Sequence, residues 1–185
     1  MKHLFSLTLS ALLLAPCAFA ADSPAAGGPN DAQIAHIVVT ANSIDVNAGK
    51  LAEKKSKNPE VKKFAKQMVT DHTAVNAQAT ALAKKLGVTP EDNDTSKSLE
   101  QGAKENMAKL NDLKGAAFDK EYVDHEVAYH QAVIDAINKT LIPSAQNAEL
   151  KGLIEKVRPA FAEHLDHAKM VQADLEKKGH GKKTM

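Results

Sequence analysis

The chain has 185 residues, with 24 basic and 23 acidic side chains, a formal net charge of +1, 4% aromatics and no tryptophan. That balance provides no net field to draw nucleic acid or anionic lipid. Arg158 is the sole arginine, which leaves no array of guanidinium forks for phosphate, and the scarce aromatics offer no base-stacking platform.

Residues 1–20, MKHLFSLTLSALLLAPCAFA, combine Lys2, an apolar stretch from Leu4 to Leu14 and the small-x-small end Ala18-Phe19-Ala20. This is the layout of a secretory signal peptide cleaved after Ala20, with an apolar part too short for a membrane span. Pro16 directly before Cys17 disfavours lipid attachment at that cysteine. The expected destination is the periplasm. Cys17 is the only cysteine, so the mature chain has no disulfide and no thiolate ligand. No later stretch is long and apolar enough to span a membrane, and no alternating pattern suggests a barrel.

Residues 21–30, ADSPAAGGPN, read as a flexible leader. Asn30 and Asp31 can cap a first helix with Ile34, Ile37, Ala41, Ile44 and Ala48 on one face. Asn58-Pro59 restarts the chain as a second helix, with Val61, Phe64, Met68, Val75 and Leu82 inward and Gly87 as its stop. After a polar loop, Ser98 and Gln101 suggest a capping box for a shorter helix. Gly115 precedes a third long helix over 116–141, and Pro143 closes it. The fourth long helix is expected from Ala145 to Lys178, with Pro159 inside it. Short first and last connections and a long middle crossing predict an all-α domain over 31–178. It is a four-helix bundle of two antiparallel hairpins, with the shorter helix in the crossing. Residues 179–185 read as a disordered basic tail.

Polar residues interrupt the apolar arcs. At about 100° per residue, His72 falls about 20° and His164 about 40° from the centres of their arcs. Asp119, Glu126 and His130 lie in the middle of the third long helix's arc, and Asp45 lies near the edge of the first helix's arc, within reach of solvent. Counted from the turns, Asp45, His72, Glu126, His130 and His164 fall near one level of the bundle. Buried groups of this kind must meet partners. Either they hydrogen-bond one another, or they share a cation. Two to three histidines with carboxylates suit Zn, Cu, Ni or Fe. His36 and His125 lie off the arcs and are expected at the surface. His167, one turn beyond His164, lies at the arc edge, and Asp71 is expected in a capping or an inter-helix ion-pair role. Nothing resembles a nucleophile with an adjacent base, a phosphate loop or a dinucleotide fingerprint, so no catalytic residues are assigned.

Three stretches, VKKFAKQMVTDHTAVNAQATALAKKLGV (61–88), GAAFDKEYVDHEVAYHQAVI (115–134) and RPAFAEHLDHA (158–168), resemble a widespread family of exported bacterial proteins of unknown function. Its members are described as predicted outer-membrane proteins and placed among ferritin-like bundles. The matching positions are Phe64, Met68, Asp71, His72, Phe118, Asp119, Tyr122, His130, Pro159 and His164. The resemblance implies a ferritin-like fold and export, with outer-membrane association implied by the label alone. It implies no activity. Di-iron bundles carry Glu-x-x-His on two helices, and this chain has no Glu-x-x-His. The sequence therefore points to a non-enzymatic periplasmic bundle that holds one transition metal at a mid-bundle cluster or meets an envelope partner. The alternative is a structural or interaction bundle with a hydrogen-bonded polar core and no metal.

Overall fold

The first three helices begin where an asparagine supplies an oxygen for their free amides, whereas the fourth long stretch, from Gly115, has no side-chain cap. The computed structural model describes residues 27–181. The signal peptide expected over 1–20, the leader up to residue 26 and residues 182–185 of the tail fall outside them. Asn30 caps α1 (Asp31–Lys55): its Oδ1 accepts from the Gln33 amide at 2.8 Å and the Gln33 side chain accepts from the Asn30 amide at 3.1 Å. Asn58 caps α2 (Pro59–Leu86), which stops at Gly87 with φ of 65°, the left-handed geometry that glycine adopts without strain.

The next helix starts earlier than the sequence suggested. The box forms between Asn93 and Ser96, not Ser98 and Gln101, and α3 runs Asp94–Asp112. Asn93 also donates to the Gln33 carbonyl of α1 at 3.3 Å, so the tertiary contact favours this start. At the other end, Lys55 Nζ donates to the Leu110 and Asn111 carbonyls at 2.7 and 2.6 Å, a cation on the negative end of α3.

Helix α4 (Gly115–Ala136) passes into a π-helical segment, Ile137–Leu141, and a last turn, α5 (Ile142–Ser144). An unbroken α-helix was expected here. Pro143 has no amide for the Lys139 carbonyl, and the ladder ahead of it widens so that Ile142 donates to Ile137. Helix α6 (Ala148–Gly181) starts at Ala148, capped by Asn147, instead of at Ala145, and extends three residues past Lys178. Asn147 Oδ1 accepts the Glu149 and Leu150 amides, and the Asp31 carboxylate accepts the Gln146 and Asn147 amides at 2.9 Å each. These bonds fasten the start of α6 to the start of α1.

The described residues form an all-α four-helix bundle, with α1 packed on α2, α4 on α6, and α3 across α1 and α4. No described helix is long and apolar enough to cross a membrane. Two apolar clusters fill the ends. One centres on Val61, Phe64, Met68, Leu110, Phe118 and Tyr122, and the other on Ile34, Ile37, Ile137, Leu141, Ile154 and Phe161. The polar residues lie between them along every long helix, at positions 42–45, 72, 126–130 and 164.

Gly49 sets the approach of α1 to α2. A Cβ there would lie 2.9 Å from Val69 Cγ2 and 3.0 Å from the Ala65 carbonyl oxygen. Gly49→Ala is expected to lower unfolding free energy by about 1–2 kcal/mol, because overpacking against backbone outweighs the helix-propensity gain. Gly102→Ala meets nothing within 4 Å and is expected to raise it by up to about 1 kcal/mol. Urea unfolding of both variants checks the contrast, and equal effects at the two sites would contradict it.

Candidate metal centre

Four helices each deliver one or two polar side chains to the mid-bundle layer. Helix α1 brings Asn42 and Asp45, α2 brings Asp71 and His72, α4 brings Glu126 and His130, and α6 brings His164. The spacings of three to four residues within α1 and α4 put each pair on one face. His72, His130 and His164 are buried, exposing 1%, 0% and 3% of their surface.

The three imidazoles face one another. Ring centroids lie 5.5 Å apart for His72 and His130, 5.1 Å for His72 and His164, and 5.6 Å for His130 and His164. One ring nitrogen from each lies within 4.8 Å of the other two.

One nitrogen of each ring is held from behind by an oxygen. His72 Nδ1 meets Asn42 Oδ1 at 2.8 Å, His130 Nδ1 meets the Glu126 carbonyl at 3.0 Å, and His164 Nε2 meets Asp71 Oδ2 at 2.9 Å. The Asn42 amide is oriented by its own donation to the Val38 carbonyl at 2.7 Å, which turns Oδ1 toward His72. All three oxygens accept, so each of these nitrogens carries the proton. The remaining nitrogens, His72 Nε2, His130 Nε2 and His164 Nδ1, are buried and have no hydrogen-bond partner among the described residues. They are bare lone pairs.

Protonation does not rescue them. Burial, then the neighbouring His130 and His164, pushes His72 down to about 2, and burial, then His164, pushes His130 down to about 4. Both rings are neutral near pH 7.

The carboxylates take a different place from the one expected. Asp45, expected near the edge of its apolar face, either turned inward with the histidines or reaching solvent, is 2% exposed. Asp45 Oδ2 lies 3.5 Å from His72 Nδ1 and Glu126 Oε2 lies 3.4 Å from His130 Nδ1, behind the rings on their protonated side. Asp45 and Glu126 group with His130, each offering an atom within 4.8 Å of the others, separately from the histidine triad. Burial raises both, Glu126 to about 8, and the Glu126 charge raises Asp45 further.

Asp71 forms the inter-helix bond to His164. Asp119 is buried but belongs to neither group. Phe118 and Tyr122 stack at 6.4 Å within the apolar cluster on that side. Pro159 is exposed on α6. His167 pairs with Gln67 and packs edge-on against Phe64, away from the triad. His36 and His125 are half-buried, not on the surface, and His125 stacks on Tyr129.

Two functional residues escaped the sequence reading. Asn42 fixes the His72 tautomer, and its signal was a lone amide on an apolar face one turn before Asp45. Phe161 packs against all three imidazoles at 5.1–6.3 Å. It also lines a cavity of about 230 Å³ with Val38, Leu99, Val133, Leu153 and Val157. An aromatic among core residues gives no sign of that double contact.

The fold and centre together define a helical bundle with a buried three-histidine site whose ring nitrogens are locked from behind. The chain belongs to the DUF4142 family, a domain of unknown function matched over residues 16–171. CopM, solved in its Cu(II)-bound form, is similar in fold, with a TM-score of 0.61 at 12% identity, covering 80% of this chain and 98% of that one. No curated protein sequence matches.

Two gradients govern stability without metal. His72 and His130 have lowered folded values, so their contribution is full above the unfolded value of about 6.5 and is lost as pH falls toward 4 and then 2. Glu126 and Asp45 are raised, so their contribution is full below about 4 and is lost as pH rises, for Glu126 toward about 8. Urea unfolding in chelator is expected to show greatest stability at mildly acidic pH, with a decline between about pH 6.5 and 8. Glu126→Gln should flatten that alkaline decline. A wild-type optimum above pH 8 would contradict the assignment.

Proposed function

We propose that this protein binds one transition-metal ion, copper before zinc, nickel or iron, through His72, His130 and His164, and carries or sequesters it. The observation that carries this reading is the set of three bare, buried nitrogens facing one another, each opposite a nitrogen whose proton is committed elsewhere. No ring can donate to another, so a hydrogen-bonded core of histidines alone is not available. A trapped water has two protons and satisfies two of the three acceptors. A metal ion satisfies all three, and neutral imidazoles are suitable ligands for Cu, Zn, Ni and Fe. The outer oxygens orient the rings and raise ligand basicity, as such partners do in metal sites. The Cu(II)-bound state of CopM, similar in fold alone, supports copper as the first ion to test.

We place this activity in the periplasm, on the signal-peptide reading of residues 1–20. The absence of a nucleophile with a base beside it supports binding over catalysis.

Isothermal titration of metal-free protein with Cu(II), Zn(II) and Ni(II) tests the site. One equivalent of Cu(II) is expected at the triad, with a rise in melting temperature that grows with free copper. His72→Ala/His164→Ala is expected to weaken binding at least 100-fold while circular dichroism stays helical. Identical binding by both proteins, or no binding by the wild type, would sink the proposal.

A further inference from the structure

Asp45 and Glu126 are not explained by the triad. They stand behind it, on α1 and α4, one from each hairpin. Neither Glu126 oxygen has a hydrogen-bond partner among the described residues, although the side chain is completely buried. The Tyr122 hydroxyl is buried and unpartnered in the same way. Buried polar atoms are seldom left without a partner.

Resting on the triad reading, we propose that Asp45, Glu126 and His130 form a second cation site, so that the polar layer holds two metal ions side by side. One atom from each of the three lies within 4.8 Å of the others. The two sites differ in chemistry. The triad is all nitrogen. The second is mainly oxygen, a set that favours Mn(II), Fe(II) or Zn(II) over Cu(I).

His130 is common to both groups, with Nε2 toward the triad and Nδ1 toward the acids. A cation at the second site would be held by the two carboxylates, and would take His130 Nδ1 only if the proton now given to the Glu126 carbonyl left to solvent with those of the carboxyls. Two ionised carboxylates then offset one divalent ion.

Two different metals separate the sites. Metal-free protein is saturated with Cu(I) under anaerobic conditions and then equilibrated with Mn(II). Retained metals are counted by elemental analysis, and Mn(II) by its electron paramagnetic resonance. Wild type is expected to hold one Cu(I) and one Mn(II). Glu126→Gln and Asp45→Asn, which keep the shape of the protonated acids, should keep the copper and hold Mn(II) at least 10-fold more weakly. His164→Ala should lose copper and keep Mn(II), because His164 is outside the second group. Wild type that binds copper normally but no Mn(II), or Gln and Asn variants that retain Mn(II) as wild type does, would overturn the second site and leave the triad standing. Wild type that binds Mn(II) but no copper would overturn the triad reading and leave the second site.

Discussion

Asn42 Oδ1, the Glu126 carbonyl and Asp71 Oδ2 each accept the proton of one imidazole, and the centre depends on those three bonds. A neutral imidazole has one proton and two nitrogens. An acceptor on one side fixes the proton there and leaves a lone pair on the other. Three such rings meeting at one level produce a concentration of lone pairs that nothing else in the bundle satisfies. Asn42 is itself aimed by the Val38 carbonyl, so the arrangement is set by the α1 backbone. The Glu126 carbonyl is also backbone, one turn before His130. Only Asp71 is a free-standing side chain, and it is half-buried on the outer side of α2.

The ends of the bundle make this layer tenable. Apolar clusters on both sides exclude water, which strengthens every interaction inside and keeps the histidines neutral. The same exclusion raises the cost of each unpaired group, so the layer is stable only with a compact set of partners. Phe161 links the layer to one end, with one side on all three imidazoles and the other on the cavity. The π-helical segment lines that cavity too, through Ile137, Thr140 and Leu141.

Much of this was legible in the sequence because helices repeat every 3.6 residues. The phase of His72, His130 and His164 against their apolar neighbours put them inward, and distances from the turns put them at one level. The depth of Asp45 was not legible. An arc edge becomes buried or exposed according to the neighbouring helix, and here α4 covers it with Glu126. The early start of α3 was decided by the bond from Asn93 to α1, a contact no local pattern contains. His36 and His125 lie off their arcs, yet the crossing loop near Asp92 and the ring of Tyr129 cover them. Asn42 went unread because a lone amide is a common occupant of a helix face, and its role appears only once His72 is seen opposite it.

Bundles of this architecture can be built around iron with glutamates facing inward, and the missing Glu-x-x-His changes what is possible here. In a di-iron site the carboxylates bridge the metals in front of the histidines. In this chain Asp45 and Glu126 lie on the protonated side of the rings, and the inward positions belong to nitrogen. The likeness to CopM at 12% identity is one of scaffold, and function is set by what the scaffold presents. With Glu126 four residues before His130, the carboxylate and the ring nitrogen it faces share one turn of α4. That spacing places the acid at the outer nitrogen of the ring, clear of the inward lone pairs that define the triad.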